Sequence, residues 1–185
     1  DFGLLSNTLR GIEARDSLQL ELIVTGSHLS EKHGHTVDEI LESGLPIAKK
    51  IPLELNNDSR LAISEVTASG VSKLSKYYEA CKPDLVLLLG DRYEIFSASI
   101  AAMLMGIPIA HIHGGETTLG AIDEAIRHSI TKMSWLHFVS TPEYKKRVIQ
   151  LGEDPERVHL VGALGVDSIK KATLYNRLDT ESALG

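Results

Sequence analysis

Short apolar segments alternate with segments of helical periodicity along almost the whole chain, and this alternation constrains the fold more than any other feature. The apolar runs predict strands at residues 20–25, 47–55, 84–89, 107–112, 137–140 and 158–161. The periodic segments predict helices at residues 4–14, 37–43, 61–81 (interrupted at Gly70), 95–105, 122–133, 142–151 and 165–178. Strands that alternate with helices of about ten residues are typical of βαβ units. The pattern therefore predicts an α/β fold built on one doubly wound, mainly parallel sheet.

The predicted strands end in small, polar or charged residues. Three of the strands are followed by GSH at residues 26–28, by GDR at residues 90–92 and by HGGE at residues 113–116. In open α/β sheets, ligands bind outside the carboxyl ends of the strands. Small polar residues also form good turns, which explains residues 140–141 and much of residues 26–28. Residues 90–92 and 113–116 are therefore the stronger candidates for a functional site.

Composition excludes several classes of protein. The chain has 19 Lys and Arg against 25 Asp and Glu, a net charge of -6, and no basic block, so nucleic-acid binding is not expected. Cys81 is the single cysteine, so no internal disulfide can form. The longest apolar runs, such as residues 85–89, are too short to span a bilayer, and no signal peptide opens the chain. We expect a cytoplasmic protein with no membrane partner.

Several familiar catalytic motifs are absent from the sequence. It contains no G-x-G-x-x-G after a strand, no G-x-x-x-x-G-K-[ST] and no G-x-S-x-G. A candidate site must therefore work by acid and base groups or by binding alone. His111 and His113 share one face of a predicted strand, as zinc ligands can, but no third ligand has a recognisable spacing. We therefore predict no metal.

The predicted helix at residues 122–133 carries a polar pair beside an apolar stripe. Asp123 and Arg127 stand four residues apart at the border of that stripe and can pair. The pair is either a surface ion pair or part of a site at the start of a helix, where anions are favoured. Asp91 likewise either caps the next helix or supplies a carboxylate near Glu116 and Asp123. The predicted buried stripe consists of Ile122, Ile126, Ser129, Ile130 and Met133.

Three segments together resemble the hydrolysing UDP-N-acetylglucosamine 2-epimerase family of sialic-acid and legionaminic-type pathways. They are residues 90–92 (GDR), 111–116 (HIHGGE) and 120–133 (GAIDEAIRHSITKM). The resemblance extends through nearly the whole chain. Residues 1–5 are similar to the end of the family's first loop, and residues 161–167 to the segment that leads into its second domain.

The resemblance implies a GT-B architecture, in which two Rossmann-like domains hold a sugar nucleotide between them. Residues 1–165 would form the N-terminal Rossmann-like domain, and residues 166–185 the interdomain connection and the start of the second domain. The first strand and most of the second domain would lie outside this sequence. We therefore expect the 185 residues alone to be inactive and the full-length protein to be a homo-oligomer, a dimer or a tetramer.

The implied reaction converts UDP-N-acetylglucosamine to N-acetylmannosamine and UDP. UDP leaves C1 while a proton leaves C2, and water then adds to the glucal intermediate with inverted configuration at C2. Neither a cofactor nor a metal is required. The alternatives are a relative that acts on a GDP-linked or di-acetamido sugar, a non-hydrolysing epimerase, and a sugar-nucleotide-binding module without turnover.

The resemblance also implies roles for individual residues. Asp91, Asp123 and Arg127 match functional positions of the family. His113 stands where some relatives have a glutamate, so either His113 or Glu116 performs acid/base work, or the substrate differs. The candidate substrate-binding residues are His28, Arg92, His111, Gly114 and Gly115.

Overall fold

The computed structural model describes residues 2–31, 36–53, 57, 59–118, 122–171 and 181–182. Its strands are β1 Leu22–Thr25, β2 Ile47–Ile51, β3 Val86–Leu89, β4 Ile109–Ile112, β5 Leu136–Val139 and β6 Val158–Leu160. Its α-helices are α1 Phe2–Glu13, α2 Val37–Glu42, α3 Arg60–Cys81, α4 Tyr93–Leu104, α5 Ile122–Met133, α6 Pro142–Gln150 and α7 Leu164–Lys171. Short 3₁₀ helices cover Gly26–Leu29 and Pro155–Arg157. The predicted alternation of strands and helices is confirmed.

The strands form two parallel sheets rather than one. One sheet has the order β1-β2, and the other has the order β3-β4-β5-β6. Every strand pairing is parallel, with Val86 opposite Ile109 and His137 opposite Val158. Within the described residues β1 and β3 do not pair, so the predicted parallel sheet is present as two groups of strands. The α/β class is confirmed, because parallel strands flanked by helices are what βαβ units produce.

The main core lies where α3 and α4 pack against β3 and β4. All four residues of β4 are buried, which explains why its sequence is a continuous apolar run broken only by His111. Leu74 and Tyr78 of α3 and Leu88 of β3 belong to this core. A smaller cluster joins β1 to α2, and a third joins α6 to β5 and β6. Burial of these faces holds the ends of β3, β4 and β5 in fixed relative positions.

Helix α3 continues through Gly70, where the apolar stripe of the sequence is interrupted. The glycine is buried, and a Cβ atom at this position would lie 2.7 Å from Ser97 Oγ and 2.8 Å from Ser97 Cβ. Those separations are shorter than van der Waals contact. Gly70 therefore allows α3 to lie close against α4, and packing outweighs its low helix propensity.

Helix α5 has the predicted bounds but buries a different face. Arg127, Ile130 and Thr131 are its buried residues, whereas Ile122 is 68% exposed. The predicted buried stripe is therefore wrong at Ile122 and at Ser129, which is also exposed, and it is confirmed at Ile130. The physical reason is that α5 turns its polar side chains toward the ends of β3 and β4, where they find hydrogen-bonding partners. Apolar periodicity cannot detect a face that is buried through polar contacts.

Some predictions fall outside the described residues. They concern residues 54–55 of the second predicted strand, residues 120–121 of the GAIDEAIRHSITKM segment, and residues 172–178 of the last predicted helix. Helix α7 begins at Leu164 and packs against α1, where Ser168 Oγ donates to the Gly3 carbonyl at 3.3 Å. The predicted division into residues 1–165 and 166–185 stays a prediction.

Among the described helices, none combines the length and apolar character that crossing a membrane requires.

Candidate active site

A buried ion pair joins the end of β3 to α5. Arg127 Nη2 pairs with Asp91 Oδ2 and also donates to Thr118 Oγ1 at 2.9 Å. The side chains of Arg127 and Asp91 are only 8% and 17% exposed. A buried guanidinium is costly without an anionic partner, so this pair fixes the carboxylate of Asp91. Arg127, which helical spacing allowed to pair with Asp123, pairs with Asp91 instead.

Asp91 does not cap helix α4. The N-cap position is Arg92, which has extended backbone and makes no side-chain capping hydrogen bond. The capping interpretation of Asp91 is therefore wrong in this structure. Its carboxylate is directed to Arg127, at the carboxyl edge of the sheet where parallel α/β folds bind ligands.

His113 and Glu116 form a second acid/base pair just after β4. His113 Nδ1 lies 3.3 Å from Glu116 Oε1, and Ser140 Oγ donates to the same oxygen at 2.9 Å. His113 has a backbone φ of 66°, in the left-handed region that residues other than glycine rarely adopt. Such backbone strain persists where the surrounding structure enforces it, and it is concentrated at functional sites.

Two polar atoms at this edge of the sheet are buried without a partner. They are His113 Nε2 and Arg127 Nη1, and neither has a hydrogen-bond partner in the described part of the chain. A buried donor or acceptor without a partner costs roughly 1–3 kcal/mol. Both atoms are therefore groups that a bound polar ligand can satisfy.

His111 occupies the interior rather than the surface of the site. Its side chain is fully buried, Nε2 lies 2.8 Å from the Gly90 carbonyl oxygen, and Nδ1 lies 3.3 Å from Thr131 Oγ1. Burial lowers the pKa of His111 to about 4, so the ring is neutral at pH 7. In this structure His111 has no surface with which to contact substrate, and both ring nitrogens already face protein atoms.

Gly114 and Gly115 are required for packing. A Cβ at Gly114 would lie 3.1 Å from Thr131 Oγ1, and one at Gly115 would lie 2.6 Å from the Tyr144 carbonyl oxygen. Gly115 also has a φ of +80°. The two glycines thus allow the turn after β4 to lie against α5 and α6. Their predicted contact with substrate stays a prediction.

His28 and Arg92 line one cavity of about 340 Å³ beyond the carboxyl ends of β1 and β3. His28 Nδ1 lies 2.7 Å from Thr36 Oγ1, and burial lowers the pKa of His28. Arg92 Nε donates to the buried carboxylate of Glu94 at 3.3 Å. The structure therefore brings together two of the five predicted substrate-binding residues, which follow different strands.

Asp123 lies in the first turn of α5 and is half-buried. Its neighbour Glu124 accepts a hydrogen bond from the Thr118 amide at 3.2 Å and lies 3.7 Å from His128. Glu124 thus contacts both His128 and the segment before α5. The structure leaves the predicted role of Asp123 as a prediction.

Sequence reasoning missed the hydroxyl and carboxyl groups that hold the site together. Thr131 follows Arg127 by four residues, so its place on the same helix face was readable from the spacing. Ser140 was interpreted as a turn residue, and no sequence signal distinguished Thr118 or Glu94. The residues that bond the predicted site residues are Glu94, Thr118, Thr131 and Ser140.

No metal-binding cluster is present in the described ranges: no group of three or more His, Cys, Asp or Glu side chains is placed to hold an ion.

A parallel α/β fold with acid and base groups at the carboxyl ends of its strands is typical of an enzyme that binds its ligand at that edge. The model of the UDP-N-acetylglucosamine 2-epimerase family matches residues 10–184. The chain belongs to this family.

Curated relatives agree with that assignment. The chain is 47% identical over 181 residues to GDP/UDP-N,N'-diacetylbacillosamine 2-epimerase (hydrolysing) of Campylobacter jejuni, a match that covers 98% of the chain and 47% of the relative. It is 41% identical to polysialic acid biosynthesis protein P7 of Escherichia coli, over 100% of the chain and 47% of that protein. The chain thus spans about half the length of the relatives it matches.

Solved structures show the same fold. A crystal structure of a UDP-N-acetylglucosamine 2-epimerase superposes with a TM-score of 0.84 at 17% identity, covering 97% of this chain and 50% of that one. The enzyme from Neisseria meningitidis, solved with UDP-GlcNAc bound, gives a TM-score of 0.78 at 22% identity, covering 91% of this chain and 45% of that one. The predicted Rossmann-like fold is confirmed.

Proposed function

We propose that this chain forms one wall of the active site of a cytoplasmic hydrolysing 2-epimerase that converts UDP-N-acetylglucosamine to N-acetylmannosamine and UDP. The observation that carries the proposal is the buried Asp91–Arg127 pair, in which Arg127 Nη1 has no partner among the described residues. A fixed carboxylate beside an unsatisfied cationic donor suits a reaction in which a proton is removed and an anion departs.

The chemistry divides into an elimination and a hydration. In the elimination, Asp91 takes the C2 proton, the electrons of the C–H bond form the C1–C2 double bond, and the C1–O electrons leave with UDP. In the hydration, water supplies a hydroxyl to C1, and a proton reaches C2 from the opposite face. His113, with Glu116 beside it, and Asp123 exchange the protons of this second step.

The diphosphate of the substrate is assigned to the cavity beyond β1 and β3. Arg92 brings a fixed positive charge into this cavity, because the buried carboxylate of Glu94 holds its guanidinium. His28 adds a hydrogen-bonding ring to the same cavity. Gly114 and Gly115 let the turn after β4 pack against α5 and α6. We assign the sugar to the space beside this turn.

A di-acetamido sugar nucleotide is the second candidate substrate. Two of the relatives, from Campylobacter jejuni at 47% identity and Legionella pneumophila at 39%, carry names that specify hydrolysing 2-epimerases of N,N'-diacetylbacillosamine nucleotides. Product analysis by NMR after incubation with UDP-N-acetylglucosamine, and with UDP- and GDP-linked N,N'-diacetylbacillosamine, separates the candidates. Preference for either di-acetamido substrate would replace the first assignment.

The proposal also includes a second domain, which forms the other side of the cleft, and an oligomeric protein. A cleft with one wall does not exclude water or hold the leaving diphosphate. We therefore propose that the 185 residues alone release no UDP, that turnover belongs to a protein of the relatives' length, and that this protein is a homo-oligomer.

Asp91→Asn tests the proposal in the protein at its natural length. The variant removes the charge that Arg127 needs, so the free energy of unfolding falls by about 2 kcal/mol while the fold is retained. UDP release falls by roughly 10²–10⁴-fold, because the proton acceptor is lost. Asp154→Asn is the matched control, since Asp154 caps a short 3₁₀ helix through the Glu156 amide at 3.0 Å, and asparagine caps equally well. The variant also removes the exposed ion pair of Asp154 with Arg157 at 3.8 Å, which contributes little to stability. Normal turnover by the folded Asp91→Asn variant would overturn the proposal.

A further inference from the structure

We infer that His111 and Thr131 are positioning residues, which hold the turn at Gly90–Asp91 and so place the Asp91 carboxylate for proton transfer. This inference rests on the proposed function of Asp91 and deepens it. It gives His111 a role different from the substrate contact implied by the family resemblance.

The hydrogen bonds of His111 determine which ring nitrogen carries the proton. Nε2 lies 2.8 Å from the Gly90 carbonyl oxygen, and a carbonyl oxygen can only accept, so Nε2 carries the hydrogen. The neutral ring then has a bare Nδ1, which must accept. Thr131 Oγ1 lies 3.3 Å from Nδ1 and 3.0 Å from the Arg127 carbonyl oxygen, so the single hydroxyl hydrogen of the threonine is shared between these two acceptors.

The contacts form a closed path around the ion pair. His111 bonds Gly90, the residue before Asp91, and Thr131 bonds both His111 and the backbone of Arg127. Arg127 in turn bonds the Asp91 side chain. The histidine therefore connects the turn that carries the carboxylate with the helix that carries its counter-ion.

The surroundings leave this arrangement little freedom. His111 and Thr131 are both fully buried, so neither can exchange its protein partner for water. Gly114 packs directly over them, and a Cβ there would lie 3.2 Å from His111 Nδ1. Both ring nitrogens of His111 and the hydroxyl of Thr131 have partners, and buried polar groups that are bonded in this way hold their surroundings in place. A displacement of about 1 Å in a reacting group can cost on the order of a hundredfold in rate.

A merely structural histidine would behave differently from a positioning one. If His111 and Thr131 only stabilise the fold, removing the Thr131 hydroxyl lowers thermal stability and leaves kcat unchanged in the folded protein. If they place Asp91, the same change lowers kcat selectively, because substrate binding by other residues is untouched.

Thr131→Val is the principal variant, because valine keeps the shape of threonine and removes only the hydroxyl. In the protein at its natural length, we expect kcat to fall by roughly 10- to 100-fold with KM within about twofold. Thr131→Ser restores the hydroxyl and is expected to recover most of the loss. Thr67→Val is the matched control: Thr67 Oγ1 makes the same kind of helix bond, to Ile63 O at 2.7 Å, without a histidine. Wild-type kcat in Thr131→Val, or no recovery in Thr131→Ser, would overturn the inference.

Nitrogen NMR of the histidine rings gives a readout that does not depend on turnover. In the 185-residue chain at pH 7, His111 is expected to show a protonated Nε2 and a bare Nδ1, and Thr131→Val to shift the Nδ1 resonance toward that of an unbonded nitrogen. A protonated Nδ1 would contradict the inference whatever the kinetics show. If the spectra agree but no sugar nucleotide is turned over, the proposed function fails; if turnover occurs and Thr131→Val is normal, only the inference fails.

Discussion

At the scale of single residues, the structure contains two described residues other than glycine with left-handed backbone, His113 and Lys82. Lys82 is the C-cap of α3, with a φ of 47°, and such a cap is a common place for this conformation. His113, with a φ of 66°, follows β4 directly and lies beside Glu116. The same backbone strain thus occurs once at a helix end and once in the candidate site.

Glycine substitutions are expected to separate these two cases. Lys82→Gly and His113→Gly both relieve left-handed strain, so each should raise the free energy of unfolding by roughly 0.5–1 kcal/mol. Only His113→Gly should reduce sugar-nucleotide turnover, by roughly 10²–10⁴-fold, since it removes an acid/base group. Urea unfolding and UDP release measure the two effects. Equal turnover in both variants would show that the imidazole of His113 has no part in the reaction.

The sequence predicted which residues meet at the site better than it predicted their contacts. Asp91 and Arg127 were both identified, yet their direct pairing joins positions 36 residues apart, which helical spacing cannot reveal. His111 was placed on the correct strand, but alternation along a strand does not tell a buried polar contact from an exposed one. Ser140 gave no signal, because serine after a strand is typical of an ordinary turn.

At the scale of elements, the packing of α3 against α4 shows where propensity and tertiary structure disagree. Ser97 of α4 is fully buried and donates to the carbonyls of Tyr93 and Thr67, so it bonds both helices at once. Gly70 faces this serine, and the absence of a side chain is what lets the helices approach. Helix α3 continues through Gly70 because helix propensity is weaker than this packing.

Gly70→Ala is expected to destabilise the protein although alanine is the better helix former. The added methyl group would overlap Ser97, and overpacking of this kind costs typically 1–3 kcal/mol. Gly11→Ala is the matched control, because Gly11 lies in α1 with no atom within 4 Å of its Cβ position, and there alanine should stabilise by roughly 0.5–1 kcal/mol. Chemical denaturation of both variants measures the difference. Stabilisation by Gly70→Ala would mean that α3 and α4 are less tightly packed than the structure shows.

At the scale of the whole molecule, the sequence predicted the class of fold but not the grouping of its strands. Alternating strands and helices determine that the strands run parallel, because each crossover returns the chain to the same edge. They do not determine which strands are neighbours, and β1 and β2 form a sheet separate from β3 to β6. Strand pairing depends on contacts far apart in the chain, which a local pattern does not contain.

Buried histidines make the stability of the folded molecule depend on pH. Burial is the largest cause that lowers the pKa of His111, to about 4, and it also lowers the pKa of His137 and of His28 from 6.5. Below pH 6.5 the unfolded chain therefore binds protons that the folded chain does not. The stability that these neutral histidines contribute is fully present above pH 6.5, and it is lost as the pH falls toward their pKa values in the folded chain.

Urea unfolding between pH 7.5 and 5 is expected to show this loss, and two histidine variants test its origin. The pKa of His111 is 6.5 in the unfolded chain and about 4 in the folded chain. Between pH 6.5 and 5, its titration therefore lowers the free energy of unfolding by about 1.4 kcal/mol per pH unit. His111→Gln should flatten the slope, because glutamine has no proton to gain on unfolding. His159→Gln is the control, since His159 is exposed on β6 and no folded-state burial acts on it. Unchanged stability of the unsubstituted protein from pH 7.5 to 5 would mean that the His111 ring reaches solvent. The hydrogen bonds that connect Gly90, His111, Thr131 and Arg127 would then not be the resting arrangement of the site.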